Sequence, residues 1–184
     1  LVGSVVVLLP VYAVDILNVG PEALGLMRAM PGVGAVAAGI LMARVPAMRD
    51  VGRLLFISLA IFAASILVFA FSNYLWLSLL MLFIYGASDM VSVNVRMTIV
   101  QLGTPDELRG RVSAVNSFFI ATSNDLGDFR AGAVATLIGP IAAVVTGGVM
   151  AVGVVAGSYF LFPTLRNLDR MSDASAEPQD SKDP

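Results

Sequence analysis

Three aspartates stand inside long apolar runs of this 184-residue chain, Asp89 in one run and Asp125 and Asp128 in the next. Charge inside a membrane span is costly, so it normally serves binding, proton movement or pairing. Asp89 lies about fifteen residues into its run, roughly 22 Å along a helix and near a bilayer midplane. Val93 and Arg96 follow at i+4 and i+7 on the same face, and Asn94 adds a nearby amide. Asp125 is about thirteen residues into the following run, also near the midplane by the same rise per residue. Asp128 is one turn further on, and Asn116 and Asn124 extend the polar stripe. In the functional reading, Asp89, Asp125 or Asp128 binds a cation or carries protons in a cavity lined by the two spans. Apolar walls favour the neutral form of a carboxylate, which suits proton exchange. In the structural reading, the carboxylates pair with Arg96 and Arg130 and hold the bundle together. Asp128 and Arg130 are too close in sequence to share a helix face, so that pair would need a neighbouring helix. Asp125 favours the functional reading, because Asn124, Asp125 and Asp128 fall together on one short stretch.

The elements that must carry these groups are membrane helices. Hydrophobic residues make up 58% of the chain and charged ones 13%, with mean hydropathy +0.87. A soluble domain has roughly 45–50% apolar and about 25% charged residues, so the class is helical membrane protein. A barrel would show alternating segments of about ten residues, whereas these apolar runs are long and continuous. There is no basic stripe for nucleic acid. There are no histidines and no cysteines. Ser–His and Cys–His catalysis, imidazole or thiolate metal sites and disulfides are thereby excluded, and no cofactor is expected.

Six spans are expected: residues 1–17, 23–43, 54–71, 74–100, 112–138 and 141–162. The first begins at Leu1 inside an apolar run, without the basic region and cleavage site of a signal peptide, which predicts a chain cut inside a helix. Asn18-Val19-Gly20-Pro21, Ser72-Asn73 and Gly139-Pro140 are tight uncharged turns. Ala29, Gly32, Gly34, Ala35, Ala38 and Gly39 in the second span, and Gly153 and Gly157 in the sixth, predict close helix contacts in lipid. Pro31 predicts a kink. Trp76 is placed as an interfacial anchor. From Pro163 to Pro184 the composition turns polar and predicts a disordered tail. The division is thus a bundle over 1–162 and a tail over 163–184.

Arginine and lysine cluster on one side. Arg44, Arg49, Arg53, Arg109, Arg111, Arg166, Arg170 and Lys182 fall in the loops after spans two and four and in the tail, with Arg96 near the same end. The positive-inside rule puts those loops and the tail in the cytoplasm. Between spans four and five, Thr104 as N-cap, Pro105 at the first helical position and Glu107 at N3 predict a capping box. Arg109 and Arg111 would anchor that segment at the bilayer surface. With Arg96 and Asp106, these residues could also form a gating latch whose salt bridges make and break.

The stretch Thr104-Pro105-Asp106-Glu107-Leu108-Arg109-Gly110-Arg111-Val112, then Asn116, then Ser123-Asn124-Asp125-Leu126-Gly127-Asp128-Phe129, resembles the major facilitator superfamily. More narrowly it is similar to the enterobactin exporter-like branch of bacterial efflux permeases. The resemblance covers nearly the whole chain as spans seven to twelve of twelve. Two departures stand out: Arg44 to Arg53 keeps only Asp50, Gly52 and Arg53 of the usual loop pattern, and Arg130 replaces an acidic or neutral residue. The resemblance implies an all-α membrane fold, the second half of a transporter built from 3+3 inverted repeats. It implies proton-coupled export of a small molecule such as a siderophore or drug, by alternating access, across the bacterial inner membrane. The implied partners are membrane lipid, a small-molecule substrate and the missing N-terminal six-helix half, with no nucleic acid. The alternatives are a non-transporting membrane scaffold or assembly protein and a decayed half-transporter. An enzyme ranks last.

Overall fold

The computed structural model describes residues 5–44, 51–102 and 104–161. Every regular element among them is helical. The first, α1 (Val5–Val11), contains Pro10 and passes into a π-helical stretch, Tyr12–Ile16. Asn18 takes a positive φ of 50°, and α2 (Pro21–Arg44) starts on the expected proline. Then come α3 (Val51–Ala70), α4 (Leu75–Leu102), a 3-10 turn (Asp106–Leu108), α5 (Arg109–Ile138) and α6 (Pro140–Leu161). Gly139 breaks α5 from α6 with φ +94°, a conformation that a side chain would strain, and its N–H closes α5 on Ala135 O at 3.1 Å. The expected polar tail and residues 45–50 of the second loop lie outside the described residues.

Four helices are long and apolar enough to cross a membrane: Pro21–Arg44, Gly52–Ala70, Leu75–Thr98 and Pro140–Gly157. The helical stretch Val5–Ile16 is apolar but shorter. Although α5 is 30 residues long, Asn116, Asn124, Asp125, Asp128 and Arg130 lower its hydropathy.

The helices close a ring in the order α1, α2, α4, α3, α6, α5 and back to α1. The tightest seam joins α2 to α4. Pro31 packs on Gly86, Gly34 on Phe83 and Ala87, and Gly39 on the Met90 methyl, so the two helices run parallel. A Cβ at Gly86 would collide with the Pro31 carbonyl, and one at Gly34 with the Phe83 carbonyl. Small residues let backbones approach this closely, and dispersion then replaces the hydrophobic drive that lipid lacks. On the other side of α4, Phe62 of α3 stacks on Tyr85 at 4.7 Å. Tyr12 of the π-helical stretch stacks on Phe69 at 4.9 Å, and its hydroxyl donates to Ala70 O at 3.2 Å. The uncharged turn before α4 is locked by its own hydroxyls, Ser78 Oγ donating to Ser72 Oγ at 3.0 Å and Ser72 Oγ to Tyr74 O at 3.1 Å.

Three expectations are corrected. The capping box does not form: Thr104 Oγ1 donates back to Val100 O at 2.6 Å, a 3-10 turn intervenes, and α5 starts at Arg109 with no side-chain cap. The Thr104 hydroxyl finds the orphan carbonyl at the end of α4 nearer than the amides ahead of it. Gly153 and Gly157 meet nothing within 4 Å, and the close contact on α6 is made at Gly148, against Leu67 and Ile66 of α3. Gly32 likewise faces open space.

Gly86→Val should separate α2 from α4 and destabilise the chain by about 1–3 kcal/mol or more. Gly25→Ala, at an open helical position, should be neutral or stabilising by up to about 1 kcal/mol. Melting temperatures of both variants in detergent check the pair.

Candidate functional site

Asp89 sits on α4 one turn after Tyr85, and its side chain is exposed. The Tyr85 ring is held by its stack on Phe62, and its hydroxyl lies within the electrostatic reach of both Asp89 and Asp128. Asp128 is half-buried on α5, while Asn124 and Asp125 on the same helix are exposed. Asp89 and Asp128 thus act electrostatically on one tyrosine from two helices that share few contacts. Tyr85 was missed in the sequence, although its i, i+4 spacing to Asp89 was legible there.

Among the described residues the arginines form no ion pair with these carboxylates. Arg96 lies close enough for its charge to act on Asp89, but its Nε donates to Ser92 O on its own helix at 3.2 Å. Arg130 Nη1 donates to Thr146 Oγ1 on α6 at 3.3 Å. Among the described residues no Lys or Arg nitrogen lies within 4.0 Å of the Asp89, Asp125 or Asp128 carboxylate. The pairing expected in the structural reading is not made.

The remaining polar groups divide in two. Asn94 turns back on its helix, Nδ2 donating to Met90 O at 3.0 Å. Asn116 instead reaches α4, Nδ2 donating to Met97 Sδ at 3.4 Å. There a groove of about 400 Å³ opens between α4 and α5, lined by Val100, Arg111, Val112, Val115, Asn116 and Phe119. This groove lies at the Arg111 end and is not the expected aspartate-bearing cavity, since none of the three aspartates lines it. In the connecting segment Arg109 Nε donates to Thr104 O at 3.2 Å, Glu107 is exposed, and the Asp106 side chain lies outside the described residues. Ser92 is a second group missed in the sequence: its hydroxyl is fully buried and lacks a hydrogen-bond partner. No group of three or more acidic, His or Cys residues able to hold a metal ion occurs among the described residues.

Carboxylates without an ion pair among the described residues thus stand on α4 and α5. The family of transmembrane secretion effectors, within the major facilitator superfamily, matches residues 2–182. The chain belongs to that family. This secretion effector is accordingly an integral, multi-pass membrane protein of a transporter class, and not an enzyme. No curated protein and no solved structure matches it.

If the Asp89 and Asp125 face is water-lined, single cysteines there should react with a water-soluble thiol reagent, because the reactive thiolate requires water. The chain has no native cysteine to confuse the signal. Asp89→Cys and Asp125→Cys should label readily, and Ser92→Cys and Val95→Cys, at fully buried positions, should not.

Proposed function

We propose that this secretion effector is the second half of a proton-coupled efflux permease of the enterobactin exporter-like kind. Residues 1–162 form six spans as a 3+3 inverted repeat, and residues 163–184 form a cytoplasmic tail. The missing six-helix half supplies the other wall of the path, and the two halves rock about a midplane site. The protein resides in the bacterial inner membrane and exports a small molecule such as a siderophore or a drug. Asp89 and Asp128 exchange protons with the path, and Asp125 with Asn124 and Asn116 lines it. Arg96, Asp106, Glu107, Arg109 and Arg111 form the cytoplasmic gate.

What carries the proposal is that Asp89 on α4 and Asp128 on α5 both act electrostatically on Tyr85 and neither forms an ion pair among the described residues. A carboxylate that serves as glue needs a partner, because an unpaired charge in the bundle destabilises it. A carboxylate that loads and releases protons is better left unpaired. Asn116 and Arg111 at the groove support a gate at that end of the same path.

The test uses the full-length transporter in everted membrane vesicles, with ethidium and a catecholate siderophore as probes and an imposed pH gradient. Gradient-driven uptake should fall to background in Asp89→Asn and in Asp128→Asn, with the amount of protein in the membrane unchanged. Wild-type uptake in both variants would remove the coupling role. Lowered folded yield in the variants, with no uptake by the wild type, would favour the scaffold alternative.

A further inference from the structure

Arg130 is a charged group of α5 that the transport path does not use. It leaves α5 about 200° around the helix from Asp128, at 3.6 residues per turn, so the two point to opposite sides. Its own side of α5 is apolar and open. Leu126 at i−4 is 53% exposed, and Leu137 at i+7 is 81% exposed. Across the seam on α6, Val149 and Met150 flank Thr146 on the helix surface and are also exposed. In a membrane protein an exposed apolar stripe of this kind faces acyl chains. Arg130 therefore sits between α5 and α6 as a single cation in a lipid-facing wall.

The guanidinium is under-satisfied there. Nη1 donates to Thr146 Oγ1, whose own proton is committed to Ala143 O at 2.9 Å. Nε is buried without a hydrogen-bond partner, and among the described residues no carboxylate lies within 4.0 Å of the group. A guanidinium offers five N–H donors and keeps its charge at any physiological pH. Left unpaired beside lipid it is costly, and the anion present in that medium is the phosphate of a phospholipid. Thr146 lies six residues into α6, about 9 Å from the Gly139 turn, so the headgroup region is within reach of a long side chain.

We propose that Arg130, oriented by Thr146, binds the phosphate of an anionic phospholipid in the leaflet on the Gly139 side, with the acyl chains lying along Leu126, Val149 and Met150. The inference rests on the chain crossing a membrane and not on what is transported. The guanidinium fork takes two phosphate oxygens, and the apolar stripe sets the direction of the tails.

The test is native mass spectrometry of the full-length protein in detergent, titrated separately with dioleoyl phosphatidylglycerol, dioleoylglycerol and inorganic phosphate. Phosphatidylglycerol should occupy one site that Arg130→Gln weakens about tenfold or more, the scale of a lost charge-assisted pair. Dioleoylglycerol, with the same tails and no phosphate, should not compete. Arg130→Lys, which keeps the charge and is the gentler change for folding, should weaken the site severalfold, because an ammonium lacks the paired donors. Equal retention of phosphatidylglycerol by the wild type and either variant would overturn the site. So would occupancy by inorganic phosphate that excludes the lipid, which would make free phosphate the ligand. A melting temperature that drops in Arg130→Gln equally with and without phosphatidylglycerol would also overturn it, by showing that Arg130 pairs with another part of the protein.

Discussion

The backbone of α2 at Pro31 occupies the volume that any side chain at Gly86 would need, and this contact sets the position of α4. In lipid there is little hydrophobic gain in bringing two apolar helices together, so contact depends on how closely their surfaces can approach. Gly34 and Gly86 allow that approach reciprocally, each against the other helix's backbone. With one side of α4 held by α2, its other side packs on α3 through Tyr85 and Phe62. Asp89 follows Tyr85 by one turn on that same side of α4 and stays exposed.

Polar groups within the spans follow a simple division. Ser58, Ser65, Ser88, Asn94 and Thr98 each donate to a carbonyl three or four residues back, so each is satisfied by its own helix. Such groups need nothing from a neighbouring span and say little about function. Carboxylates cannot do this, since an ionised one only accepts and helix carbonyls only accept too. Asp89, Asp125 and Asp128 must therefore meet water, a cation, a donor such as Tyr85, or carry a proton. On α5 the helical turn separates opposite charges, with Asp128 on the Tyr85 side and Arg130 on the α6 side. A spacing of two residues makes that separation unavoidable.

The helix ends were the most legible part of the fold. Pro21 and Pro140 open α2 and α6, and Gly139 closes α5, because a fixed φ or a missing Cβ acts locally whatever the surroundings. The segment from Thr104 to Glu107 was misread for the converse reason. A capping box competes with the orphan carbonyls of the preceding helix, and the nearby Val100 carbonyl won. The small-residue pattern pointed to tight contacts but not to the right glycines. Gly34 was among those expected, Gly86 and Gly148 were not, and Gly153 and Gly157 were expected in vain.

Composition and periodicity by themselves determined a helical membrane bundle, the approximate boundaries of its apolar helices and the presence of three aspartates within two long helices, since these depend on residue type and on local backbone geometry. Only the tertiary structure decided which face each helix turns to its neighbours. It put Tyr85 within electrostatic reach of Asp89 and Asp128, put the groove at the Arg111 end, and sent Arg130 to Thr146 instead of to a carboxylate. Residues far apart in the chain meet only when helices choose a rotation and a partner. That choice rests on small differences in close packing summed along a seam, which no single stretch of sequence contains.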